Sequence, residues 1–147
     1  MSIEDDVALL ERVPTLRLLG GTALRMLAIG SELRDFEGGD TLFKAGDVAD
    51  AGYVVQRGAF RIKDGGGAEI VAGPGALIGE LALIVAMKRP STATALERSS
   101  AIRVARSLFR RVLENAPAAA RRLRDELANR TSQLASEMLM AGAKLSI

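Results

Sequence analysis

Apolar residues near the start of the chain fall at helical spacing. Ile3, Val7 and Leu10 repeat every three to four positions, the period of one helix face. Pro14 ends or interrupts that segment, since its ring removes a backbone donor. A second short helix is predicted over about 22–29, with Thr22 as its cap and Leu24, Leu27 and Ala28 facing inward. From Leu33 the pattern changes. Short apolar stretches alternate with glycine-marked turns at Gly38-Gly39-Asp40, Gly46-Asp47, Gly58, Gly65-Gly66-Gly67 and Gly73-Pro74-Gly75. Breaks at this interval are the rhythm of an all-β roll or barrel. The runs Tyr53-Val54-Val55-Gln56 and Ala59-Phe60-Arg61-Ile62 read as strands joined at Arg57-Gly58, and Asp64 to Ala68 reads as a hairpin tip. Thr92 to Ala105 resumes the strand pattern.

Beyond the strands the period lengthens again. Ser107 is placed to cap a helix through about Asn115, and Pro117 opens a long helix at a position where its missing N–H does no harm. One heptad series holds Ala120, Leu127, Leu134 and Ala141; the interleaved one holds Arg124, Thr131, Met138 and Leu145. This is a broken seam for a homodimer. The alternative is a helix packed on its own domain, but the helix outlasts what a small roll can cover. No internal repeat or linker is apparent, so residues 1–147 read as one domain. Helices occupy 1–32, a β-roll 33–106 with its ligand cassette at 78–92, and a hinge with the C-terminal helix 107–147.

Composition narrows the function. Of the 147 residues 48% are apolar, enough for one core. No run of eighteen apolar residues predicts a membrane span, and the acidic start MSIEDDVALL is unlike a secretory signal. A cytoplasmic protein without membrane insertion is expected. The absence of cysteine excludes disulfides, zinc–thiolate sites and thiol nucleophiles. The absence of histidine removes the commonest general base and metal ligand. Neither an enzyme nor a metal site is expected. Residues 98–130 hold nine arginines against Glu114, Asp125 and Glu126, a balance of +6. Such a run is either a patch for nucleic acid or an acidic partner, or the solvated face of helices. No interleaved aromatics accompany it, which favours the second reading.

The candidate chemistry lies in Gly75-Ala76-Leu77-Ile78-Gly79-Glu80-Leu81-Ala82-Leu83-Ile84, followed by Arg89-Pro90-Ser91-Thr92. Gly79 permits a tight turn and close approach of a ligand, and the residues after it can form a helical turn whose free N–H groups meet an anion. Glu80 can accept from sugar hydroxyls. Arg89 can bring a planar charged fork to a phosphate, and Ser91 and Thr92 add hydroxyls. Spacing alone equally allows a Glu80–Arg89 salt bridge at the end of a roll. The triple glycine at 65–67 lacks the lysine and following helix of a P-loop.

Phe36-Glu37-Gly38-Gly39-Asp40, Phe43, Gly46-Asp47, Asp50, Tyr53-Val54-Val55 and Gly58 follow a glycine-marked strand order. Together with Gly79-Glu80-Leu81-Ala82-Leu83, Arg89 and Thr92-Ala93, they make the chain resemble the cyclic-nucleotide-binding domain family. That family includes catabolite-activator-type regulators, protein kinase A regulatory subunits and nucleotide-gated channels. The resemblance covers about residues 9–140. It implies a mainly β fold, a jelly-roll-like double-stranded β-helix of about eight strands with N-terminal helices and a long C-terminal helix. It also implies a ligand set of Ile78, Gly79, Glu80, Leu81, Ala82, Arg89, Pro90, Ser91 and Leu134. Glu80 would take the ribose 2′-hydroxyl, Arg89 the cyclic phosphate, and the amides of Leu81 and Ala82 would face that phosphate.

Three positions depart from the family pattern. Pro90 lacks the N–H that many members turn toward the phosphate, a loss of about 1.5–3 kcal/mol for a charge-assisted bond; Ser91 is the nearest replacement donor. Leu134 and Ala135 stand where the catabolite activator offers hydroxyls to the purine, so the base would be held by contact without reading its edge. The sequence ends at Ile147, several dozen residues short of a helix-turn-helix, so no DNA binding is expected. The resulting expectation is a stand-alone cAMP or cGMP sensor, a homodimer through its C-terminal helix, signalling to an unknown downstream protein. The alternatives are a β-roll interaction domain that no longer binds nucleotide, and the sensor part of a catabolite-activator-like transcription regulator.

Overall fold

The structure, a computed structural model, describes residues 2–130. The chain opens with α1 (Ile3–Glu11), held by a capping box in which the Ser2 hydroxyl accepts from the Asp5 amide at 3.1 Å and the Asp5 carboxylate accepts from the Ser2 amide. Glu4, Asp5 and Asp6 in its first turn suit the positive end of the helix dipole. Pro14 does more than end this segment. It stands at the start of α2 (Pro14–Arg17), where its fixed φ favours a helical turn. The helix expected near 22–29 is α3 (Gly21–Gly30), capped by Gly20 at φ 84° rather than by Thr22.

Ten strands follow among the described residues, two more than expected, because three strands are only two residues long: β3 (Val48–Ala49), β7 (Leu77–Ile78) and β8 (Met87–Lys88). The others are β1 (Glu32–Phe36), β2 (Thr41–Phe43), β4 (Ala51–Arg57), β5 (Phe60–Asp64), β6 (Glu69–Ala72), β9 (Ser91–Ala95) and β10 (Ser99–Ala105). They form one sheet of order β1-β10-β4-β7, a second of order β2-β9-β5-β6 and the two-stranded β3-β8, with every pairing antiparallel. This is the jelly-roll-like β-roll with flanking helices that the sequence predicts.

Strand β4 explains how the layers are joined. Successive side chains point to opposite faces. Ala51, Tyr53 and Val55 enter the core inside the roll with Phe60, Ile78, Ala93 and Ala101. Val54 enters the helical core with Leu10, Leu16, Leu24, Leu27 and Phe109. A strand covered on both faces reads as an unbroken apolar run, as Tyr53-Val54-Val55 does. β4 and β5 do not pair with each other; they lie in different sheets, and Arg57-Gly58 is where the chain crosses. Gly58 has φ +82°, and a Cβ there would stand 2.1 Å from Ser99 Oγ and 2.7 Å from the Arg98 carbonyl. The Ser99 hydroxyl in turn accepts from the Ala59 amide at 3.1 Å and donates to the Glu97 carbonyl at 2.8 Å. Gly58→Ala is therefore expected to cost about 2–3 kcal/mol through left-handed strain and broken Ser99 bonds, a fall of about 10 °C in Tm by calorimetry. An unchanged Tm contradicts this account of the crossing.

The 65–67 glycines sit at the β5–β6 hairpin tip, where Asp64 Oδ1 accepts from the amides of Gly66 and Ala68, both at 2.9 Å. The turn's donors are thus occupied by the chain's own carboxylate. After β10 comes α4 (Arg106–Glu114), whose N-cap is Ala105; Ser107 lies within the helix and makes no capping bond. Residues 117–130 are helical. Ala119 and Leu123 are buried in the helical core and Leu127 packs against it, so this stretch of helix lies on its own domain. Arg122 fastens it by donating to the Leu18 carbonyl at 2.7 Å and the Leu19 carbonyl at 3.2 Å. Thr131, Leu134, Met138, Ala141 and Leu145 of the expected dimer seam lie outside the described residues.

Candidate functional site

The site begins where β7 leaves β4, with Ile78 opposite Tyr53. Gly79 then adopts φ 78°, ψ 39°, a left-handed conformation that glycine enters without steric cost. The chain coils into a 3-10 turn, Glu80–Leu83, which packs closely on β4. A Cβ at Gly52 would stand 3.2 Å from Leu83 Cγ, so that second glycine lets the turn approach the sheet. Ala82 and Leu83 are buried beneath the turn, and Leu81 is 56% exposed. The Ala82 amide donates to the Gly79 carbonyl at 3.1 Å, which closes the turn and removes it from the expected phosphate donors. The Leu81 amide, in the first positions of the turn, has no partner within it.

Arg89 arrives from the other side. Its amide donates to the Asp47 carbonyl and its carbonyl accepts from the Gly46 amide, each at 2.8 Å. The side chain is only 5% exposed. Nη2 donates to the Ala51 carbonyl at 2.7 Å, and the guanidinium carbon lies 4.2 Å from the Phe43 ring centroid and 5.8 Å from that of Tyr53, within cation–π range. Nη1 would be 2.6 Å from a Cβ on Gly79. The missing side chain of Gly79 is therefore the space the guanidinium occupies. Burial lowers the Arg89 pKa from its ordinary value, partly opposed by Tyr53, Asp50 and Asp47; arginine still carries its charge at neutral pH. Nε is buried with no hydrogen-bond partner. Among the described residues this buried cation, supported by one carbonyl and two ring faces, has no counter-ion.

Glu80 makes a different set of contacts from the one its spacing suggests. It pairs with Arg130 rather than Arg89. Glu80 Oε1 accepts from the hydroxyl of buried Thr15 at 2.5 Å and from Arg130 Nη1 at 3.0 Å, while Arg130 Nη2 donates to the same hydroxyl at 3.1 Å. Arg130 is also 3.5 Å from Glu126 one turn back. The hydrogen bond that Arg130 donates to Glu80 leads the causes that raise the Arg130 pKa. The cassette turn is thus tied to α2 and to the helix over 117–130. Both bonds to Glu80 fall on Oε1.

Between the two charged groups lies a cavity of ≈ 330 Å³. Ile78, Gly79, Glu80, Leu81, Ala82, Arg89, Pro90 and Ser91 all line it; Leu134 lies outside the described residues. Phe43, Ile62, Ile70, Leu77 and Met87 complete the lining. No signal along the sequence marks Ile62 and Ile70, which reach the cavity only because β5 and β6 curl over it. The two hydroxyls separate. Thr92 Oγ1 accepts from the Ala45 amide at 2.9 Å, whereas Ser91 lines the cavity beside Pro90. An apolar hollow with a guanidinium on one wall and a carboxylate on another suits a small anion that carries a hydroxyl and an apolar body. Among the described residues, no group of three His, Cys, Asp or Glu side chains is placed to hold a metal ion, and no helix is long and apolar enough to cross a membrane.

Comparison with known proteins gives the family and the fold. Residues 33–116 match the family described as cyclic nucleotide-binding domain. A cyclic nucleotide-binding-like protein from Brucella abortus is 36% identical over 75% of this chain and 98% of its own, with a TM-score of 0.67. The N-terminal domain of a transcriptional regulator from Streptomyces coelicolor A3(2) is 30% identical over 88% of this chain and 94% of its own, with a TM-score of 0.80. The sensor domain of the transcriptional regulator DNR from Pseudomonas aeruginosa shares the fold, at 24% identity over 88% of this chain and 91% of its own and a TM-score of 0.73.

Proposed function

The chain belongs to the cyclic nucleotide-binding domain family, and from that premise we propose that it is a sensor for cAMP or cGMP that signals through its C-terminal helix. One observation carries the reading. Arg89 and Glu80 line the same cavity, and Arg89 Nε is buried there without a partner. The cyclic phosphate meets Arg89, with Ser91 standing in for the donor that Pro90 lacks. The 2′-hydroxyl meets Glu80. The base rests on Ile62, Ile70 and Leu81, none of which reads a purine edge, so adenine and guanine are poorly separated. Leu134 contributes apolar cover from farther along the chain. The module is read as a cytoplasmic homodimer acting on a downstream protein.

Signalling follows from the contacts of Glu80. A ribose hydroxyl that approaches Glu80 competes with Arg130 and Thr15 for the carboxylate. Ligand therefore favours an arrangement in which the helix over 117–130 is released from the cassette, a shift between two populations. Titration calorimetry with cAMP and cGMP tests the reading. Both ligands are expected to bind, and at a hundred times the dissociation constant each adds about 2.7 kcal/mol to stability. Arg130→Gln is expected to tighten binding severalfold, the worth of about 0.5–1 kcal/mol for a part-exposed ion pair. Absence of binding and of any Tm rise at millimolar ligand rules out the receptor. The chain is then a β-roll interaction domain, a reading that Pro90 already favours.

A further inference from the structure

A second charged cavity lies outside the cassette. It has a volume of ≈ 440 Å³ and is lined by Asp50, Arg103, Ala105, Arg106, Ser107 and Arg110, where β10 runs into α4. Three guanidinium groups face one carboxylate. Asp50 Oδ1 is 3.2 Å from Arg103 Nη2, so the only acid in the lining is already matched to one arginine. Arg106 makes three hydrogen bonds, to the carbonyls of Ala49 at 2.8 Å, Ala82 at 3.3 Å and Val85 at 3.1 Å, and all three use Nη1. Among the described residues its Nη2 and Nε edge is left for another acceptor. Arg110 is exposed. The excess of two positive charges is held in a concave space, where charge of one sign focuses the field. Ala105, as N-cap, offers no side-chain acceptor to the first turn of α4, whose Arg106 amide donates to the Asp50 carbonyl at 2.8 Å; Ser107 adds a hydroxyl to the arginines in the lining.

We propose that this cavity is a binding site for a phosphate group bearing two negative charges, separate from the cyclic-nucleotide site. Guanidinium forks match phosphate oxygens in bidentate geometry, and a singly charged carboxylate would leave the excess charge uncancelled. The source is either inorganic phosphate or the phosphate of a phosphomonoester. Arg106 connects the site to the cassette, because the carbonyls it holds belong to Ala82 in the 3-10 turn and to Val85 just beyond it.

The test is a titration of the ¹⁵N-labelled protein at low ionic strength with sodium phosphate, and separately with glycerol 3-phosphate. The amides of Ser107 and Leu108 are expected to shift and saturate with at least one of them, and the tighter of the two identifies the source. Arg103→Gln and Arg110→Gln are each expected to weaken that binding about tenfold. Arg98→Gln, an exposed arginine away from the cavity, leaves it unchanged. Saturating shifts at Gly79 to Leu81 in place of Ser107 place the anion at Arg89 and overturn the proposal. So do drifting shifts that never saturate with either anion, or an Arg98→Gln loss equal to the other two. Because neither probe contains a nucleoside, the outcome is independent of whether cAMP or cGMP binds.

Discussion

Arg89→Met is expected to reduce cyclic-nucleotide affinity by a hundredfold or more while leaving the fold at least as stable. Truncating one partner of a buried charge pair costs about 2–5 kcal/mol of binding, and each 1.4 kcal/mol is about tenfold in affinity. The effect on stability differs in sign. Among the described residues the buried guanidinium has only the Ala51 carbonyl and two aromatic faces to replace water, and its lowered pKa reflects that desolvation. Methionine fills a similar volume, removes several kcal/mol of desolvation cost and loses one hydrogen bond worth about 1.5–3 kcal/mol together with the cation–π contacts. The expected result is a Tm that is equal or higher alongside binding that is lost. Ser91→Ala, which removes only a hydroxyl at the cavity wall, is expected to weaken binding far less. Equal losses at Arg89 and Ser91 argue against the phosphate role of Arg89. A large fall in Tm shows instead that Arg89 is a structural residue.

The roll was legible because its signals are local. Gly38-Gly39, Gly46, Gly58 and Gly79 mark turns whose backbone needs few other residues to form, and the apolar run at Tyr53–Val55 carries the two-sided burial of β4 in its own composition. The cassette was legible for the same reason, since Gly79 through Ser91 is nearly contiguous. What escaped the sequence is what depends on distance along the chain. Thr15 meets Glu80 across 65 positions and Arg130 meets it across 50, and no periodicity links them. By type and spacing alone, the arginines after residue 98 read as surface charge. Arg106 through Nη1, and Arg122 through Nε and Nη2, instead donate to backbone carbonyls, an assignment that needs the carbonyl positions to be known. Caps failed similarly. Thr22 and Ser107 are good capping residues by type, but Gly20 and Ala105 hold those places because tertiary packing sets where α3 and α4 begin.

Gly79→Ala is expected to damage both stability and binding, and the way the damage combines with Arg89→Met tests the geometry of the site. Two costs arise. Alanine at φ 78° enters the left-handed region at about 1–2 kcal/mol. Its Cβ would also lie 2.6 Å from Arg89 Nη1. The end of an arginine usually yields, but this one is held between the Ala51 carbonyl and the Phe43 ring and is 5% exposed, so moving it breaks both contacts. A guanidinium displaced by an ångström no longer presents its edge to a phosphate, and binding is expected to fall by about tenfold or more. In the Arg89→Met background the flexible thioether bends away. The strain remains there and the clash is relieved. A double-mutant cycle on unfolding free energy is therefore expected to show the pair less destabilised than the sum of the single changes, by about 0.5–3 kcal/mol. Additive values mean that Gly79 serves the turn alone and that the guanidinium does not rest in the space its missing side chain leaves.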